Sequence, residues 1–173
     1  MPAPSWNLAI IVIFLMGIAF GYILQRDKIV ATMLSIYVAL IVTQAFSSPM
    51  QQFFEGSKTL NQFWLNLHAS PFTIRLVIFM ATITLLAAKS GISGGKTKGL
   101  LSPIEVIIYS ILTTGLILSS IFFFMPPETR EAFAQNSKMA AMVINYYQWW
   151  IILPVLGLIG MGFFRKGSSS SSD

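Results

Sequence analysis

Residues 6–46 read WNLAIIVIFLMGIAFGYILQRDKIVATMLSIYVALIVTQAF, and this stretch decides the fold. Two apolar blocks flank the polar group Gln25-Arg26-Asp27-Lys28. At a rise of about 1.5 Å per helical residue, blocks of this length match the roughly 30 Å of hydrocarbon in a bilayer. So short a connection predicts an antiparallel helical hairpin, with spans over 6–24 and 29–46. No Lys or Arg precedes the first block and the second follows at once, so the first is expected to be a retained helix and not a cleaved signal peptide.

Outward from the hairpin, further apolar blocks cover 72–88, 103–125 and 146–164. The fold class expected is therefore all-α, a polytopic transmembrane helix bundle of about five spans forming one domain over 1–166. Composition agrees: the chain is 55% hydrophobic and only 10% charged, where soluble domains carry about 25% charge. The last block carries Pro154, and its Tyr146, Tyr147, Trp149 and Trp150 suit an aromatic belt, which a spanning helix and a surface-lying one would both use. Residues 167–173, mostly serine, are expected to be a disordered tail or an appended linker.

Basic residues set the orientation. Lys and Arg favour cytoplasmic loops, and five spans with the N-terminus outside place Arg26, Lys28, Lys89, Lys96, Lys98, Arg165 and Lys166 inside. Lys58, Arg75, Arg130 and Lys138 then lie outside, with Arg75 free to snorkel from the start of the third span. A four-span arrangement would move Arg165 and Lys166 to the outer side and erase the bias. The net charge of +5 is thus scattered as topology determinants, a pattern that does not track phosphates, and no nucleic-acid partner is implied.

Shorter elements are expected in the loops. Ser48 to Gln51 and Thr59 to Gln62 each place a hydroxyl three residues before a glutamine, the spacing of a capping box, and predict short interfacial helices within 47–71. The second would gather Leu60, Phe63, Trp64 and Leu67 on one stripe. Residues 128–137 read as a polar helical segment leading toward the last span.

Chemistry-bearing residues are sparse. Gly91-Ile92-Ser93-Gly94-Gly95-Lys96-Thr97 ends like a phosphate-binding loop, but Ser90 stands where the first glycine is needed and no strand precedes it. His68 has no second ligand at metal spacing, and without cysteine there is no thiolate site or disulfide. Glu105 is the one acidic residue in an apolar block, which makes it a functional candidate by default. Ser102-Pro103-Ile104-Glu105 is, however, a capping box with proline at the first helical position, so Ser102 and Glu105 are assigned a capping role. With one histidine and no base partner, no catalytic triad can be assembled; no enzyme activity, metal or cofactor is expected.

Small and hydroxylated residues form the remaining constellation. Gly17 and Gly21 lie one turn apart in the first span, and Thr32, Ser35, Ala39 and Thr43 follow one face of the second. Ser110, Thr114, Gly115, Ser119 and Ser120 mark the fourth, and Gly157 and Gly160 the last. In lipid such positions let backbones approach and are expected to hydrogen-bond between helices. The faces serve packing within the chain or, alternatively, a seam with a second copy or another membrane protein.

The first hairpin with its basic connection, the third span running into Lys89-Ser90-Gly91-Ile92-Ser93-Gly94, and the fourth ending at Phe122-Phe123-Phe124 resemble the colicin V production protein family in order and spacing. The resemblance covers about residues 6–150; Gly95-Lys96-Thr97-Lys98 stands where that family often carries an Asp-Arg pair. It implies a bacterial inner-membrane protein acting as a non-enzymatic accessory or scaffold in secretion or envelope maintenance. A subunit that builds a pore or transporter as an oligomer, with its hydroxyl stripes facing the lumen, is the alternative. The lipid bilayer is the partner common to both.

Topology can be read with single cysteines introduced into the cysteine-free chain at Ser57, Ser93 and Ser170. Ser57 should label from outside, and Ser93 and Ser170 only after the membrane is opened. Outside labelling of Ser170 together with Ser57 would mean that the last segment does not cross.

Overall fold

The computed structural model describes residues 5–24, 26–56, 70–89 and 103–167. Every regular element among them is helical: α1 (Trp6–Leu24), α2 (Arg26–Gly56), α3 (Pro71–Lys89), α4 (Pro103–Phe124), α5 (Pro127–Asn136), α6 (Lys138–Asn145) and α7 (Tyr147–Gly167). Four helices, α1 to α4, are long and apolar enough to cross a membrane, and a fifth crossing exists if α6 and α7 act as one bent span. The chain is an all-helical, polytopic membrane bundle. Side chains such as Leu15, Phe20, Ile23, Ile41, Val77 and Leu85 are exposed around its perimeter, where hydrocarbon is their solvent.

Helix α4 occupies the middle and is the most deeply buried of the spans. It packs against α1, α2 and α7, while α2 takes α3 as its main neighbour. The hairpin expectation is corrected in this respect. The short connection joins α1 and α2, but α1 lies mainly along α4 and meets α2 far less. A tight turn fixes only the ends of two helices, and packing decides which faces close.

The core falls into two clusters. Met33, Ile36, Ala39 and Leu40 of α2 close on Phe79 of α3 and on Tyr109, Leu116 and Phe124 of α4. The rings of Phe79 and Phe124 meet edge to face at 5.3 Å. A second cluster joins Ile10 of α1 and Phe122 of α4 to Ala140 and Val143 of α6.

The structure departs from the expected boundaries at the end of the second span. The second span does not stop at Phe46 before a separate short helix; α2 runs unbroken through Pro49 to Gly56, 31 residues. Thr43 and Ser47 are buried at successive i+4 positions, so its inner stripe continues past Phe46, and packing on that face outweighs the capping signal at Ser48. The last block, expected over 146–164, is present as α7, and α6 precedes it at a bend of 65°. The polar segment expected over 128–137 is present as α5. The box at Thr59 to Gln62, His68, the loop 91–97 and the tail from 168 lie outside the described residues.

One side chain fixes the α5–α6 corner. Asn7, at the start of α1, accepts through Oδ1 from the Ser137 hydroxyl at 2.7 Å and from the Met139 amide at 3.2 Å. The Ser137 oxygen in turn accepts from the Ala140 amide, so two orphan donors of the α6 N-terminus are satisfied. Trp6 and Phe133 meet beside them at 4.6 Å, edge to face. Asn7→Ala should lower stability in detergent by about 1–3 kcal/mol by leaving these donors unpaired, whereas Asn7→Asp keeps the acceptor and should lose less. Denaturant unfolding followed by helicity measures both.

Candidate functional site

The chemistry of the chain concentrates where α1, α2 and α4 meet. Gly17 and Gly21 present bare backbone to α4: a Cβ at Gly17 would run into the Thr114 side chain, and one at Gly21 into that of Ser110. These two contacts make α1 and α4 antiparallel neighbours at close range, the arrangement for which a small-xxx-small pair is suited. A third glycine does the same for α7. A Cβ at Gly115 would meet the indole of Trp150, whose other neighbour is Phe14 at 6.0 Å.

Hydroxyl groups on this seam do not act as the sequence suggests. Ser110 donates to the Val106 carbonyl at 2.6 Å and Thr114 to that of Ser110 at 2.8 Å, while Ser119 and Ser120 both donate to Leu116. On α2, Thr32 donates to Lys28 and Ser35 to Ala31. The expected bonds between helices are replaced by bonds to the preceding turn. A backbone carbonyl one turn back is always within reach of a helical Ser or Thr, whereas a partner on another helix must be placed. Thr43 and Thr113 hold buried hydroxyl oxygens without a partner, as is the indole nitrogen of Trp150.

Bonds between the long helices come instead from two tyrosines. Tyr37 of α2 donates to the Ile151 carbonyl at 2.6 Å, and Tyr109 of α4 donates to the Gly157 carbonyl at 2.9 Å. Both acceptors flank Pro154, which removes one amide donor from the helix it interrupts. A signal was present: both tyrosines sit within apolar blocks, away from the ends where an interfacial belt would use them. Gly157 thus faces Tyr109, while Gly160 has open space around it, so these two glycines do not form one packed face.

Beside the seam lies a partly open groove with a cavity volume of about 440 Å³. Met16 and Phe20 of α1 are exposed at its rim, and Ile29 of α2 with Thr113, Ile117 and Ile121 of α4 line it further. Its lining is almost wholly apolar. Glu105 is remote from it: five residues before Ser110 at 100° per residue, its Cβ points away from the groove face of α4. The Ser102 half of the capping box lies outside the described residues, and the Oε2 atom of Glu105 is buried without a hydrogen-bond partner. Among the described residues no three His, Cys, Asp or Glu side chains come together in a way that could hold a metal ion.

Gly17→Ala and Gly21→Ala should each cost about 1–3 kcal/mol by overpacking the α1–α4 contact, with a fall in folded yield. Gly160→Ala, with nothing near its new methyl, should be close to neutral. Adding Thr114→Ala to Gly17→Ala should recover part of the loss, since the hydroxyl oxygen is the first atom met. Thermal unfolding of the purified variants ranks them.

No family model matches the chain, and comparison with curated proteins and with solved structures returns no match. What the residues and their geometry show is an all-helical, multi-pass membrane protein.

Proposed function

We propose that the chain is a non-enzymatic accessory or scaffold of the bacterial inner membrane, working in secretion or envelope maintenance, with its N-terminus outside and its C-terminus cytoplasmic. The observation that carries this reading is how its polar groups are used. Ser110 and Thr114 turn toward the glycines of the chain's own α1 and donate to their own helix. A subunit that lined a pore would need this stripe on an outer face, available to water and to a neighbouring copy. Here Ser110 and Thr114 are buried, the groove beside them is almost wholly apolar, and the perimeter is hydrocarbon in character, a surface for lipid or for the apolar flank of another membrane protein.

The resemblance to the colicin V production protein family supports the link to secretion and the envelope, through the order of the spans and the Lys89 to Gly94 connection. The basic-residue bias supports the orientation.

Mass measurement of the complex extracted from its native membrane tests the role. Recovery with other membrane proteins in fixed ratio is the expected result, together with an envelope or secretion defect when the gene is deleted. A closed homo-oligomer that conducts ions in planar bilayers would replace the scaffold reading with a pore.

A further inference from the structure

We infer that the groove between α1, α2 and α4 is a binding site for one acyl chain of a membrane phospholipid, with the headgroup phosphate beside Lys28. This site is independent of the scaffold role proposed above. Four observations lead to it.

The groove lies within three spanning helices, so its mouth opens sideways into hydrocarbon and not into water. Met16 and Phe20 stand exposed at the rim, while Thr113 and Leu118, both buried, form the floor. An empty apolar cleft of this size inside a bilayer would leave its lining without dispersion partners, and the surrounding solvent consists of acyl chains.

Its volume selects the occupant. A helix about 10 Å across fills roughly 120 Å³ for each 1.5 Å of rise, so about 440 Å³ accepts only about one turn of a partner helix, far short of a spanning segment. A linear, flexible chain enters such a space without the fixed girth of a helix. Of the lining hydroxyls, Thr32, Ser110 and Thr114 already donate to their own backbone, and Thr113 is the one buried there without a partner.

Direction comes from the end of the groove. Gly21, Ser110 and Ile29 converge there, with the Ile29 Cδ1 atom 3.3 Å from where a Gly21 Cβ would be. Lys28 precedes Ile29, is exposed, and lies one turn before Thr32 on the same side of α2. The lining carries no acidic side chain. A cation at the surface end of an apolar cleft complements a molecule with an anionic head and an apolar tail.

Native mass spectrometry of the full chain, extracted from nanodiscs of phosphatidylethanolamine and phosphatidylglycerol, tests the site. One phospholipid should remain bound per chain. Ile117→Trp, which fills the cleft, should reduce its retention about tenfold. Lys28→Gln should reduce it about fivefold, the factor for one basic group at a membrane surface. Retention unchanged in Ile117→Trp would overturn the proposal. If that variant fails to fold, the unaltered chain decides: phosphatidylglycerol with a diazirine on its acyl chain should label Met16, Phe20, Ile117 and Ile121 well above the lipid-facing Val77 and Leu85. Even labelling around the bundle, or crosslinking of the groove to a second polypeptide, would overturn it.

Discussion

Helix α4 sits at the centre of this bundle because two residues of α1 have no side chain. In hydrocarbon there is no hydrophobic force to drive one apolar helix onto another, so closeness must come from shape. Gly17 and Gly21 supply it by receiving Thr114 and Ser110 against bare backbone. With α1 seated there, the remaining faces of α4 are left for α2 and α7. Trp150 of α7 reaches Gly115 and lies beside Phe14 of α1. Helix α2 builds its core with Phe79 and Phe124 on another face of α4.

The same logic separates what could be read from the chain and what could not. Blocks at 6–24, 72–88 and 103–125 translate almost residue for residue into α1, α3 and α4, because in lipid every backbone amide must be paired within its own segment and length alone decides the element. The misplaced end of the second span depends on neighbours. Pro49 and the box at Ser48 are a sound local stop signal, overridden by a buried face that continues to Ser47. The corner between α5 and α6 rests on Asn7, a relation between residues about 130 positions apart.

Site residues divide along the same line. That Gly17 and Gly21 would admit a backbone is a local property; that the visitor is α4 and not the covalently tethered α2 is not. Ser and Thr were legible as helix-compatible polar groups, but whether each bonds across or back along its helix depends on what stands opposite. The tyrosines that do bond across were hidden by the usual association of tyrosine with membrane surfaces. The groove itself has no signature at all, since it is a shape left between three helices whose residues are ordinary membrane apolars.

The grip on α7 has a consequence for how this chain can vary. Tyr37 and Tyr109 hold it by the carbonyls of Ile151 and Gly157, and every amino acid offers that same carbonyl. The exposed residues of the segment, such as Ile152, Val155 and Ile159, can therefore be exchanged for other apolar types without loosening these two bonds. Drift is tolerated on α7 and penalised at two distant tyrosines. Among relatives of this chain, the outer surface of the last helix is where sequences should part company first, while its place in the bundle stays the same.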